Sequence, residues 1–219
     1  LTRNLYAGDV ETAKYLSRNG MRLVLLMLPF AALAAGASPE IIQLLFSSAF
    51  LPAAPLFSIL IFAAVAMAMI AVTTCILTAI DKPNWTIALT APMVALAVIG
   101  NLWAFPRLGA TGVASVTTIV ASLTALAFVL VIYRHWQILP PLDSLLRSVF
   151  MGLIVYGLAA NWLTPGWWLV LKLLLLSLCI GLGLFVLGEL NDREIRLIKS
   201  GVHSINQFFA QKFRSNSDS

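Results

Sequence analysis

The sequence predicts an all-α membrane protein with six transmembrane helices, on three observations. First, 60% of its 219 residues are hydrophobic and 11% are charged, whereas a soluble domain carries about 25% charged residues. Second, residues 41–80 contain no Asp, Glu, Lys or Arg, and only lipid can surround such a run. Third, the basic residues concentrate in alternate connections between the apolar stretches. This composition excludes a soluble enzyme or a soluble binding domain.

One crossing takes about 20 apolar residues, because a helix rises about 1.5 Å per residue and the hydrocarbon core is about 30 Å thick. The first predicted helix, residues 21–37, is interrupted by Pro29 and continues with a kink through Pro39 to about Phe46. The other five predicted helices span residues 52–80, 85–105, 110–133, 145–163 and 167–187.

The basic residues predict the orientation of these helices. Of the 14 Lys and Arg residues, 12 lie at or before the start of the first helix, between helices two and three, from the end of helix four to the start of helix five, or after helix six. The other two are Arg107 and Lys172. Because short cytoplasmic loops carry an excess of Lys and Arg, both ends of this segment are predicted to be cytoplasmic. The basic residues do not cluster with aromatic residues on a soluble face, so no nucleic-acid partner is predicted.

The two ends of the chain are polar. Residues 1–20 begin with Leu1 rather than Met and are interpreted as the end of a cytoplasmic loop in a longer protein. Residues 189–219 are predicted to form an amphipathic helix, at 191–214, followed by a disordered tail. That helix is predicted either to lie in the anionic inner-leaflet interface or to pack on loops of the same protein. Its apolar stripe consists of Ile195, Ile198, Val202, Ile205 and Phe209.

Residues able to catalyse a reaction or bind a metal are sparse. Cys75 and Cys179 lie inside predicted helices without metal-ligand spacing and are expected to be buried as small hydrophobic side chains. His135 and His203 stand alone, and the nine Asp and Glu residues are scattered. Asp81, which precedes Lys-Pro-Asn, is interpreted as part of a tight turn. No catalytic residue, metal or cofactor is therefore predicted.

Three residues are candidates for a transport path. Lys172 is a charge inside the sixth predicted helix, about 8 Å from the preceding tryptophan pair at helical rise. Its ammonium is expected either to snorkel to the outer interface or to contact an anion in a cavity. Arg22, at the start of the first predicted helix, is the other cation expected to join such a cavity. Asn101 lies inside the third helix, where its amide is predicted either to bond a neighbouring helix or to face a water-filled cavity.

A longer pattern extends across the first four helices. It reads IIQLLFSSAFLPA at residues 41–53, LTAIDKP at 77–83, and Asn101 followed by PRLGATGVA at 106–114. This pattern resembles the second lobe of the polysaccharide flippases of the multidrug/oligosaccharidyl-lipid/polysaccharide exporter superfamily, although Ser47 stands where that family usually has Gly. In the family, the matching positions serve turns and close helix packing. They are Phe46, Ala53, Ala79, Lys82, Pro83, Pro106, Gly109 and Gly112.

The resemblance covers about residues 13–133. It implies that residues 21–133 form four helices of the C-terminal lobe of a MATE-like, two-lobed transporter, and that residues 144–188 form the extra helix pair of longer members. An N-terminal lobe would precede them in the same protein.

The function that the resemblance implies is transport in the bacterial inner membrane. The substrate would be an undecaprenyl-pyrophosphate-linked oligosaccharide or polysaccharide repeat unit, moved across the bilayer by alternating access between the two lobes. The partners would be this lipid-linked sugar, the bilayer and the N-terminal lobe. A multidrug or cation antiporter of the same superfamily and a polytopic enzyme of envelope assembly are the alternatives.

Overall fold

The computed structural model describes residues 10–162, 164 and 166–186. The regular structure in these ranges is all helical and contains no strand, which confirms the predicted class. A boundary between two compact units falls between Ile180 and Gly181. In chain order the helices are α1 (Val10–Leu25), α2 (Leu28–Gly36), α3 (Ser38–Phe46), a 3₁₀ helix (Ser48–Ala53), α4 (Ala54–Ala79), α5 (Asn84–Trp136), α6 (Leu142–Asn161) and α7 (Trp168–Val186).

Several of these segments are long and apolar enough to cross a membrane. The helices predicted at 145–163 and 167–187 correspond to α6 and α7, whereas those predicted at 85–105 and 110–133 both lie within α5. The predictions for residues 189–219 lie outside the described residues. The five candidate spans are Val10–Gly36, Ser48–Ala79, Asn84–Trp136, Leu142–Asn161 and Trp168–Val186.

Helix α1 begins at Val10, inside the stretch 1–20 that the sequence assigns to a cytoplasmic loop. Hydropathy does not detect this start, because polar residues alternate with apolar ones and only one side of the helix is buried there. That side carries Ala13, Ser17 and Met21, which are buried and recur every four residues, the spacing that aligns side chains on one helix face. Tertiary packing on one face therefore extends the helix beyond its apolar part.

Two prolines divide the first predicted helix, as the sequence predicts. Pro29 lies in the first turn of α2 and Pro39 in the first turn of α3. At these positions the missing N–H group of proline costs no helical hydrogen bond. The path from α1 to α3 is therefore a kinked series of short helices.

Helix α4 ends in a tight turn at Asp81, as predicted. Asp81 has a left-handed φ of 57°. Its amide donates to the carbonyl of Thr78 at 3.2 Å, and the amide of Lys82 donates to the carbonyl of Leu77 at 3.0 Å. These two bonds form the Schellman motif that closes a helix C-terminus. Pro83 follows directly and opposes continuation of the helix.

Helix α5 bends back on itself at Gly109. It has 53 residues and would be about 80 Å long if it were straight. Gly109 has φ 61° and ψ −148°, a conformation that essentially only glycine adopts. Near the two ends of α5, the rings of Trp85 and His135 pack edge to face with their centroids 5.5 Å apart. Such close ends require two antiparallel arms, residues 84–108 and 110–136.

The two arms of α5 approach each other through small residues. A Cβ atom on Gly100 would lie 2.6 Å from Cγ1 of Val116, and one on Gly112 would lie 3.3 Å from Cβ of Ala104. In a straight helix the sixteen positions from 100 to 116 would span about 24 Å. Close packing is also the role that the family resemblance implies for Gly112.

The core of the first unit lies between α1, α4 and the second arm of α5. Met21 of α1, Leu77 of α4 and Phe128 of α5 are fully buried there. Helix α2 packs on α6, where a Cβ atom on Gly36 would lie 2.9 Å from Cβ of Ala159. The small side chains at this crossing bring α2 and α6 into close contact.

Ser47 joins α3 to the 3₁₀ helix in a backbone conformation that favours glycine. Its φ is 85° and its ψ is 170°, in a region that is essentially restricted to Gly and costs other residues about 1–3 kcal/mol. The flippase family that this sequence resembles usually has Gly at this position. The departure at Ser47 therefore introduces backbone strain.

We expect Ser47→Gly to raise the free energy of unfolding by about 1 kcal/mol, because relief of the strain exceeds the entropic cost of glycine, about 0.5–1 kcal/mol. Reversible unfolding in mixed detergent–SDS micelles measures the change. Ser48→Gly is the matched control, since Ser48 has no positive φ, and it should lower stability. Equal stabilities of the two variants would contradict this prediction.

Candidate functional site

A buried ion pair joins α3 to α7. Lys172 is fully buried, and its Nζ lies 2.5 Å from Oε2 of Glu40, whose residue is 8% exposed. Both residues belong to segments that the sequence predicts to be apolar helices. Charges in such surroundings are retained only when they are paired or hydrogen-bonded.

The remaining donors of Lys172 bond to the end of α6. Its ammonium donates to the carbonyls of Ala159 at 2.7 Å and of Trp162 at 2.5 Å. Carbonyls in the last turn of a helix have no partner within the helix, and a cation there also interacts favourably with the helix dipole. Lys172 thus satisfies the C-terminus of α6.

Glu40 binds partners through both of its carboxylate oxygens. Oε2 accepts from Lys172, while Oε1 accepts from the amide of Thr164 at 2.5 Å and from its hydroxyl at 3.2 Å. Glu40 lies in the first turn of α3, where a negative charge is stabilised by the helix dipole. The carboxylate is therefore held by a cation, two hydrogen bonds and a helix N-terminus.

We call this group the Glu40–Lys172 site; it consists of the side chains of Glu40 and Lys172, Thr164, and the carbonyls of Ala159 and Trp162. An ammonium has three N–H donors, and Lys172 uses all of them within the site. The ammonium of Lys172 is directed to these partners, and its snorkelling to the outer interface stays a prediction. In this conformation it also has no donor left for an anion. The site joins α3, α6 and α7.

Sequence reasoning does not find Glu40 as the partner of Lys172. The available signal is that Glu40 lies within the kinked first helix, so that two charges of opposite sign occur inside predicted helices. The two residues are 132 positions apart. Their pairing therefore depends on how the helices pack.

The other two transport-path candidates lie elsewhere. Arg22 is half-buried in the last turn of α1 and already has an interaction partner. Asn101 is in the first arm of α5, and its buried Oδ1 has no hydrogen-bond partner among the described residues. Neither residue is among the polar partners of Lys172. The structure thus does not bring the three candidates into one site.

A cavity of about 460 Å³ lies between α2, α4, α6 and the second arm of α5. Its wall is mostly apolar, with hydroxyl groups from Ser58, Thr118, Ser148 and Tyr156. Ser148 is fully buried, and its hydroxyl has no hydrogen-bond partner among the described residues. Arg22, Asn101 and Lys172 do not line this cavity. The lining residues are Leu28, Ala32, Ala35, Ser58, Ile59, Phe62, Thr118, Ser148, Val149, Gly152, Leu153 and Tyr156.

The residues that match the family motifs lie at helix ends and turns. Phe46 ends α3, Ala53 ends the 3₁₀ helix, and Ala79 ends α4. Lys82 and Pro83 form the following turn. The remaining motif residues, Pro106, Gly109 and Gly112, lie at or beside the tip between the two arms of α5.

The cysteines differ from their prediction. Cys75 and Cys179 are both free and exposed on helix surfaces, so the expectation of buried thiols is wrong. Hydropathy places a residue in an apolar helix, but it does not say whether the side chain faces protein or lipid. No group of three or more His, Cys, Asp or Glu side chains within residues 10–162, 164 and 166–186 is arranged to hold a metal ion.

No family model, curated protein or solved structure matches this chain. The inference of function therefore depends on the sequence motifs and on the geometry at those motifs.

Proposed function

We propose that this chain is the C-terminal portion of a flippase that moves an undecaprenyl-pyrophosphate-linked oligosaccharide or polysaccharide repeat unit across the bacterial inner membrane. The observation that carries the proposal is the backbone conformation at the family motifs. Five described residues have a positive φ, and three of them, Ser47, Asp81 and Gly109, each lie in a different motif. The motif residues thus coincide with turns whose positive φ most residue types adopt only at a cost.

The hairpin in α5 supports the topology that this function requires. If each arm of α5 crosses the bilayer once, the five candidate spans provide six crossings. Arg107, at the tip between the arms, would then be outside, with its guanidinium over the ring of Trp103 at 4.2 Å. With an even number of crossings both ends of the segment lie on the same side of the membrane, and the distribution of Lys and Arg favours the cytoplasm as that side.

In the proposed mechanism the four-helix lobe rocks against an N-terminal lobe and exposes the substrate site to each side in turn. The Glu40–Lys172 site keeps α6 and α7 attached to this lobe. Arg22 is the cation proposed to contact the pyrophosphate from this lobe. A guanidinium has five N–H donors, so Arg22 can keep its present partner and still bind phosphate oxygens.

Reconstitution of the full-length protein tests the proposal. Proteoliposomes would contain a fluorescent undecaprenyl-pyrophosphate oligosaccharide, and a membrane-impermeant quencher would report the fraction in the outer leaflet. We expect Arg22→Gln to slow translocation more than five-fold, because it removes a charge-assisted bond to pyrophosphate worth about 1.5–3 kcal/mol. Arg134→Gln, in the last turn of α5, is the matched control and should leave the rate unchanged.

Two results would contradict this function. Translocation no faster than in protein-free vesicles would exclude a lipid-linked sugar as the substrate. Efflux of cationic dyes driven by an ion gradient, without translocation of the lipid, would favour the antiporter alternative.

A further inference from the structure

A cavity of about 280 Å³ lies between α1 and the segment that follows α5. It is distinct from the Glu40–Lys172 site and from the larger apolar cavity, since it shares no lining residue with either. Its lining combines two cations and one carboxylate, that of Glu11, with neutral hydrogen-bonding groups. The lining residues are Glu11, Lys14, Tyr15, Arg18, Gln137, Ile138 and Leu139.

The two cations come from one face of α1. Lys14 and Arg18 are four residues apart, so their side chains lie on the same side of the helix. Lys14 pairs only loosely with Glu11, at 3.9 Å, with the two side chains 39% and 89% exposed. An exposed pair of this kind contributes little and leaves the ammonium available. Arg18 has no ion-pair partner among the described residues.

The opposite wall is held in place by the core. Gln137 ends α5 in a left-handed conformation, and its amide donates to the carbonyl of Tyr133 at 2.8 Å. Ile138 is 6% exposed and belongs to the core cluster. The side-chain amide of Gln137 supplies further N–H donors. The cavity is therefore a formed feature with donors on both walls.

We propose that this cavity binds the phosphate group of an anionic membrane lipid. A basic pocket at the cytoplasmic membrane edge is the kind of site that recognises such headgroups. Tyr15 and Leu139 line the cavity and are 40% and 36% exposed, which provides apolar surface beside the cations for an acyl chain. The placement of the cavity on the cytoplasmic side rests on the proposed topology. The phosphate chemistry is shared with free pyrophosphate, but only a lipid also uses the apolar surface.

Native mass spectrometry of the full-length protein tests this site. The protein would be purified from nanodiscs that contain phosphatidylglycerol, and the number of retained lipids would be counted. We expect Lys14→Gln and Arg18→Gln each to lower retention about five-fold, since one basic residue near a membrane surface contributes about 1 kcal/mol to anionic-lipid binding. Lys82→Gln is the matched control, because Lys82 is an exposed cation of the inner turn outside this cavity.

A further variant distinguishes binding from a structural role. Glu11→Gln should raise retention, because it removes a negative charge from the cavity. Equal loss of lipid in the Lys82→Gln and Arg18→Gln proteins would overturn the proposal, as would equal retention of phosphatidylcholine and phosphatidylglycerol by the unmodified protein. Binding of inorganic pyrophosphate to a protein that retains no phosphatidylglycerol would assign the cavity to a soluble phosphate and overturn the lipid claim.

Lipid retention is measured without transport, so the two proposals fail separately. A protein that retains the lipid but does not translocate the lipid-linked sugar would sink the proposed function and leave the lipid site standing. A protein that translocates the sugar but shows no cation-dependent lipid retention would refute the lipid site and leave the proposed function standing.

Discussion

Replacement of Lys172 by Met is expected to lower the free energy of unfolding by about 3–5 kcal/mol, the cost of breaking a buried ion pair by removing one partner. The carboxylate of Glu40 would remain buried at 8% exposure without its cation. The carbonyls of Ala159 and Trp162 would lose their donor as well. Unfolding of the purified protein in mixed detergent–SDS micelles would measure this loss.

The matched control is Lys82→Met, since Lys82 is an exposed cation on a turn. That change should stay within about 0.5 kcal/mol of the unmodified protein. The double variant Glu40→Leu/Lys172→Met should recover part of the loss, because it leaves no unpaired buried charge. If Lys172→Met does not fold, the double variant still tests the pair. Equal effects of Lys172→Met and Lys82→Met, or a double variant less stable than Lys172→Met, would refute the assignment of Glu40 as the partner.

Exchange of the two charges, Glu40→Lys with Lys172→Glu, is expected to restore stability only in part. The exchanged pair can form its salt bridge, but a cation would then lie at the N-terminus of α3 and an anion at the C-terminus of α6. Both placements oppose the helix dipoles. Full recovery on exchange would show that the dipoles and the α6 carbonyls contribute nothing to this site.

Gly109→Ala is expected to lower the free energy of unfolding by about 1–3 kcal/mol, because φ 61° and ψ −148° force a side chain into a region that costs this much. There is open space around the position, since no atom lies within 4 Å of a Cβ built there. The expected loss is therefore backbone strain alone. The same unfolding assay measures it.

Gly157→Ala, four residues before the end of α6, is the control for Gly109→Ala. A Cβ atom there also meets no atom within 4 Å, and Gly157 has no positive φ. Alanine should raise stability at this position by about 0.5–1 kcal/mol, the difference in helix preference between the two residues. If both variants change stability in the same direction, the hairpin tip at Gly109 is not strained by a side chain.

Local sequence patterns predict much of the fold. The helices at 52–80 and 145–163 follow from long, mainly apolar runs, and the kinks at Pro29 and Pro39 follow from the chemistry of proline. The turn at Asp81 is likewise predicted from its own neighbours. These signals act between residues close in sequence, so no knowledge of packing is needed to detect them.

The start of α1 and the exposure of the cysteines could not be predicted in this way. Residues 10–20 form a helix because Ala13 and Ser17 pack into the bundle, and a hydropathy window averages over that single buried face. Cys75 and Cys179 lie in apolar helices, where protein-facing and lipid-facing positions have similar side chains. Which side faces the protein depends on the neighbouring helices.

The sequence by itself determined the helical class, most helix positions and the turns, because hydropathy and turn chemistry depend on neighbouring residues. It also marked Lys172 as a charge that needs an explanation inside an apolar helix. Only the tertiary structure decided that its partner is Glu40, one of nine acidic residues and 132 positions away. The physical reason is that the pair exists only where α3 meets the end of α6 and the start of α7, a junction made by helix packing.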